Sequence, residues 1–420
     1  MNINKVLLFA ASLQFLGTAS FNLSVFGAGL LLLREAESIV PYIANGFVAS
    51  FVIACFGPFA GNISDRIGRT QSSLIISLLA MGVSILALTL GSSSVWAFLT
   101  LSLTLASALF MSTLSVVAMS SARLTSSKVE QIGSVLSKVQ IAEQAGRIVA
   151  PLLIVLLFPI GLWGLAITQA LLFSVAICVI VAFRTEIGKS ETMATPKEAN
   201  KALAPTPIRE MFGLIRRDSL LRVFAPYLAV STACVELSIL ALTPVALSIM
   251  TEQLLATAFM IANVSAVMGG LLATRLTPRW SVSFAIFIFI SIEAAGAMLF
   301  AMQSQTTNLY VYAAALCFGY FIMPTSLISA QVAWLANIPK QDQGVAAGLE
   351  RTSSWLLVPL AYLIGPLVVP PSSTSFDPEV VSAFRSVALY AAIALFVASI
   401  LFLMTRPVRL LIQKNSPRNA

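Results

Sequence analysis

Histidine is absent from this chain of 420 residues. Any step that moves a proton must therefore rest on carboxylates, because no imidazole is present to do it. Charge is scarce as well. Only 10% of residues are Asp, Glu, Lys or Arg, against about 25% in soluble domains, which excludes an ordinary water-facing globular surface. Cysteine is limited to Cys55, Cys178, Cys234 and Cys317, each inside an apolar run. Their spacing fits neither a disulfide framework nor a metal site, and they read as small buried apolar side chains. No nucleophile–base arrangement or soluble catalytic stretch is present, so neither an enzyme nor a cofactor is expected.

Long apolar runs take their place. The chain is 58% hydrophobic, with a mean hydropathy of +0.93. Twelve runs, near 6–32, 41–62, 73–91, 95–119, 138–158, 162–183, 221–249, 254–274, 281–302, 309–335, 344–369 and 382–405, are each long enough to cross a bilayer. In lipid the backbone must satisfy its own hydrogen bonds, and runs of this length do so as helices. The amino-terminal run follows Lys5 and is too long for a signal-peptide core, so it counts as the first span. The basic residues set the orientation. Of 25 Lys and Arg, only Arg34 and Arg385 fall outside and Arg147 and Arg351 lie within spans when both termini face the cytoplasm. The net charge of +8 is then a topology signal and calls for no nucleic-acid partner. The expected setting is a plasma (inner) membrane.

The one long polar stretch, 184–220, carries Pro196, Pro205 and Pro207 and ends in an amphipathic piece, Ile208–Ile215. It reads as a cytoplasmic linker between a six-span unit over 1–183 and a second over 221–420. A faint repeat supports this division. GNISDR (61–66) has a counterpart in GLLATR (270–275), with Thr274 in place of Asp65. FNLS (21–24) matches VELS (235–238) and sets Asn22 opposite Glu236, while EQAGRIVAP (143–151) matches ERTSSWLLVP (350–359).

The stretch GNISDRIGRT (61–70) resembles the loop signature of the major facilitator superfamily. The resemblance covers the whole chain and implies an all-α membrane fold of two pseudo-symmetric six-helix bundles. LQFLG (13–17) and GPFAGNISDR (57–66) are most similar to the twelve-span efflux branch that includes drug, macrolide and siderophore exporters. By that resemblance Gly61, Asp65, Arg66, Gly68 and Arg69 form a latch between the halves, although Arg66 and Arg69 equally suit plain interfacial anchors. GRIVAP, with Gly146 and Pro151, partly resembles an antiporter signature and is expected to bend the fifth helix. The basic residue expected in the fourth helix of many drug antiporters is missing.

Ionisable residues inside a membrane are expensive and mark function by default. Four acids qualify, Glu143, Glu236, Glu293 and Glu350, together with Arg147 and Arg351. Glu143 and Arg147 are one turn apart and can pair directly, either as a structural ion pair or as a switchable contact with an anion. Glu236 lies mid-span with no basic residue in reach along its own helix. It suits taking a proton on one side and releasing it on the other, and Glu293 is a second candidate for that role. In the resembling fold the first, fourth, seventh and tenth helices line a cavity, which offers Gln14, Asn22, Met111, Glu236, Tyr320 and Met323 to a substrate. Such a surface suits a bulky amphipathic molecule. The expected function is proton-coupled export of such a compound by a monomer in the lipid bilayer. The alternative is a facilitator or importer of an organic anion held by Arg147 and Arg351.

Overall fold

The computed structural model describes residues 3–29, 31–32, 40–90, 96–124, 129–157, 160–194, 213, 215–277, 280–335, 343–368 and 378–414. Helix α1 (Ile3–Asn22) runs into a π-helical stretch, Leu23–Ala28, and is followed by α2 (Val40–Ile67), α3 (Arg69–Leu90) and α4 (Trp96–Leu124). Then come α5 (Val129–Leu157), α6 (Leu162–Ala194), α7 (Ser219–Leu247) and α8 (Glu252–Leu276). The chain continues through α9 (Val282–Gln305), α10 (Leu309–Leu335), α11 (Gln343–Trp355), α12 (Val358–Val368), α13 (Pro378–Leu403) and the short α14 (Arg406–Lys414). No strand occurs among the described residues.

Ten of these helices are long and apolar enough to cross a membrane. The two exceptions among the expected spans have local causes. Helix α5 carries Glu130, Lys138, Glu143 and Arg147. The eleventh span, expected as one helix over 344–369, is interrupted after Trp355 and resumes at Val358. Pro359 has no N–H to offer the carbonyl of Trp355, four residues earlier, and its ring crowds that carbonyl. Helix α6 runs to Ala194, well past the expected end at 183, and Lys5 Nζ meets Glu186 Oε1 at 2.9 Å across to α1. Of the amphipathic piece expected at 208–215, all but residues 213 and 215 lies outside the described residues.

Within the first half α1 packs on α4 and α5, α2 on α4, and α3 on α6. Small side chains make the last contact close: Ser73, Ser77, Ala80, Ser84 and Ala87 form a buried stripe on α3. Phe110 and Phe173 meet edge-to-face at 4.6 Å in this half's core. In the second half α7 packs on α13, α8 and α9 on α10, and α9 on α13, around Phe224, Tyr227, Phe289 and Phe402. The outward surface is apolar, with Leu79, Phe98, Leu171, Met298 and Leu401 exposed as a lipid-facing shell requires.

The halves meet through α5 against α8 and through α2 against α11 and α12. At the end where α2 turns into α3, the backbones of Gly57 and Gly348 touch, and a Cβ on Gly133 would stand 3.0 Å from Thr277 O. At the opposite end Gly46 lies against the Tyr362 ring, and Phe26 meets Phe259 at 5.4 Å. The halves therefore touch at both ends of the space between them.

Candidate functional site

That space is a cavity of about 360 Å³ walled by both halves. Part of its wall in the first half depends on the π-helical stretch of the first span. A π turn leaves carbonyls without their usual partners, and such turns are frequent at functional sites. Here Asn45 of α2 donates from Nδ2 to Val25 O at 3.1 Å, while its Oδ1 accepts from Thr104 Oγ1 at 2.6 Å. Gln169 of α6 donates from Nε2 to Ser20 O at 2.8 Å and to Ser24 Oγ at 2.7 Å. Stapled from two sides, the stretch turns Phe21, Asn22, Val25 and Phe26 onto the cavity.

All six ionisable residues singled out within the spans, Glu143, Arg147, Glu236, Glu293, Glu350 and Arg351, line this cavity. Met111, Tyr320, Met323 and Asn22 line it as well. Gln14 does not: it is buried behind the wall, where its Nε2 donates to Glu143 Oε2 at 2.7 Å. The other oxygen of Glu143 accepts from Arg147 Nη2 at 2.8 Å, so each carboxylate oxygen has its own donor. Asn22 spends its amide on its own helix, donating to Thr18 O at 2.9 Å.

The two arginines make crossed contacts between the halves. Arg147 of α5 reaches Met323 Sδ of α10 at 3.7 Å, and Arg351 of α11 reaches Met111 Sδ of α4 at 3.4 Å. A thioether is a weak acceptor, and the Nε of each arginine is buried with no hydrogen-bond partner among the described residues. Arg351 forms no ion pair within 4 Å among the described residues, although Glu143 and Glu350 act on it through space. Glu350 is hydrogen-bonded by Ser354 one turn on.

Glu236 of α7 opens on the cavity with no hydrogen-bond partner among the described residues. The one base on its own helix, Arg222, lies fourteen residues earlier, and Arg147 of the other half acts on Glu236 electrostatically. Tyr42, Tyr320 and Tyr362 lie in the field of the same carboxylate, and Tyr42 shares a side-chain hydrogen bond with Thr243. Glu293, on a helix outside the four expected to line the cavity, also reaches it, and its Oε1 accepts from Ser326 Oγ at 2.7 Å. Wall residues with no distinguishing signal in the sequence include Tyr42, Asn45, Gln140, Phe259, Trp355 and Tyr362. Aromatic and amide side chains of this kind occur equally in plain helix packing.

The loop residues lie elsewhere, at the α2–α3 turn. Gly68 has φ 92°, the left-handed backbone that a glycine supplies without strain. Arg69 Nε donates to Ser120 Oγ of α4 at 3.1 Å, within the same half, and Arg66 is exposed. Gly61 is buried, and one turn earlier Gly57 makes a close approach to the other half. The side chain of Asp65 lies outside what is described. In α5, Gly146 and Pro151 sit in an unbroken helix, and Gly146 serves packing: a Cβ there would stand 2.6 Å from Phe15 O of α1.

Comparison with known proteins agrees with this architecture. No curated protein sequence matches the chain. Among solved structures, the human organic anion transporter MFSD10 (TETRAN) is similar with a TM-score of 0.66 and 13% identity, covering 96% of this chain and 100% of that one. A bacterial homologue of the iron transporter ferroportin in its outward-facing state is similar with a TM-score of 0.67 and 16% identity, over 96% and 99% of the two chains. At such identities the likeness is one of fold. The family profile of the Major Facilitator Superfamily matches residues 6–358, most of the chain, and this multi-pass membrane protein belongs to that transporter family.

Proposed function

We propose that the chain is a proton-coupled exporter of bulky amphipathic molecules, working by alternating access of its two halves with Glu236 as the coupling carboxyl. The observation that carries this reading is the position of Glu236. Its carboxylate has no hydrogen bond among the described residues, belongs to the second half, and is acted on by Arg147 of the first. Ionised, it attracts Arg147 across the cavity and favours the halves drawn together. Protonated, it loses that attraction, so proton uptake biases the equilibrium between closed and open arrangements. The cavity's apolar and aromatic lining, with Phe21, Phe26, Phe259 and Trp355, suits an amphipathic ligand. In this reading the protein acts as a monomer in the plasma (inner) membrane with both termini cytoplasmic, residues 184–220 include the linker, and the α2–α3 turn serves as the latch.

A second reading has one specific observation in its favour. The Arg351 guanidinium has a thioether where an oxygen acceptor would bind better, which fits an organic anion entering between Arg351 and Arg147. Transport into liposomes under an imposed pH gradient separates the two. Export predicts uphill movement of an amphiphile driven by protons, lost in Glu236→Gln while binding persists. If Glu236→Gln transports at the wild-type rate, Glu236 is not the coupling group. Loss of transport confined to Arg351→Gln, with anionic compounds preferred, would favour the second reading.

A further inference from the structure

Beside the central space, the cavity extends into a recess inside the second half, between α9 and α10. One face of α9, carrying Phe289, Glu293, Gly296 and Phe300, walls it. The recess exists because of glycines: a Cβ on Gly296 would find no atom within 4 Å, and one on Gly319 of α10 would meet only Leu299 Cδ1, at 3.8 Å. Glu293 stands one turn from Gly296 on this wall, and its one hydrogen bond among the described residues, from Ser326 to Oε1, leaves Oε2 without a donor among them. No Lys or Arg among the described residues pairs with it. Glu293 acts electrostatically on Tyr227 and Cys234, two turns apart on one face of α7. Glu236 follows Cys234 by two residues, roughly 200° further round the same helix. The two carboxylates enter the one cavity from different helices, Glu236 from α7 and Glu293 from α9.

We propose that this recess is a second subsite for the transported molecule, taking an ammonium-bearing arm while the aromatic body of the same molecule stays in the central cavity. The proposal rests on the reading of that cavity as the substrate site. Glu293 supplies the anionic acceptor, and the Ser326 oxygen, which donates to Glu293, keeps lone pairs for a second N–H. The apolar lining at Leu299 and Phe300 covers the methylenes of the arm. The substrates so favoured are aromatic amphiphiles with a flexible alkylamine chain.

The test uses fluorescence binding to the purified full-length protein in detergent at one fixed pH with no gradient, so it does not depend on proton coupling. The probes are dansylcadaverine, its neutral analogue N-pentyl dansylamide, and armless dansylamide. Wild type is expected to bind dansylcadaverine about tenfold more tightly than the neutral analogue, the effect of one charge-assisted hydrogen bond. Glu293→Gln should abolish that preference. Gly296→Leu, which fills the recess from a position with open space, should weaken dansylcadaverine more than armless dansylamide. The proposal is overturned if wild type shows no preference for the amine, if Glu236→Gln rather than Glu293→Gln removes it, or if Gly296→Leu weakens all three probes equally.

Discussion

Gln14 illustrates what a single residue's identity does and does not reveal. A glutamine in a first span reads as a cavity residue, yet it is 2% exposed and spends its Nε2 on Glu143. Replacing it by leucine takes away one of the two donors to a buried carboxylate, at a cost of about 1–3 kcal/mol. Gln14→Leu is therefore expected to lower the thermal unfolding midpoint of the purified protein while leaving ligand affinity near wild type. An affinity loss with unchanged stability would instead place Gln14 in contact with substrate. The ionisable residues were legible for a physical reason: a charge inside a membrane survives only where water, a ligand or another charge meets it, and all six proved to line the cavity. Glycines carry no such signal. Nothing in the sequence marks Gly57 as the glycine that touches Gly348 across the halves.

At the scale of the element, hydropathy located the spans and missed their ends. It reports the hydrocarbon-facing part of a helix, whereas backbone hydrogen bonding continues into the interface. Helix α5 begins at Val129 and α6 ends at Ala194, through Glu-, Gln- and Lys-containing segments that are good helix formers. Proline positions were equally ambiguous. Pro58, Pro151, Pro226, Pro244 and Pro324 lie inside unbroken helices, while the eleventh span is interrupted just before Pro359. The break separates α11, which carries Arg351 and Trp355, from α12, which carries Tyr362 against Gly46. Pro359→Ala restores the donor to the Trp355 carbonyl and removes a penalty of about 3 kcal/mol against a continuous helix. If the two segments move separately during the cycle, this variant binds ligand as before and transports more slowly. Wild-type transport by Pro359→Ala would mean that the break is only a packing accommodation.

For the molecule as a whole, the faint repeat in the sequence corresponds to an arrangement that pairwise motif matching cannot express. Glu143 and Arg147 match Glu350 and Arg351 in sequence order, but each arginine reaches a methionine of the opposite half. These crossed contacts, with Arg147 acting electrostatically on Glu236, place charges and weak acceptors at the boundary between the halves. Alternating access requires the contacts at one end to open while those at the other hold. Thr277 closes the end at the α2–α3 turn, since a Cβ on Gly133 would lie 3.1 Å from its Cβ. Two cysteines this close can form a disulfide after slight adjustment, because bridged Cβ atoms sit about 3.8 Å apart. Gly133→Cys with Thr277→Cys, in a background where Cys55, Cys178, Cys234 and Cys317 are replaced by alanine, is expected to cross-link under mild oxidation. Transport should then stop and return on reduction, because the halves can no longer part at this end. A cross-linked protein that transports at the uncross-linked rate would mean that this contact persists through the whole cycle, and the moving interface would have to lie wholly at the Gly46–Tyr362 end.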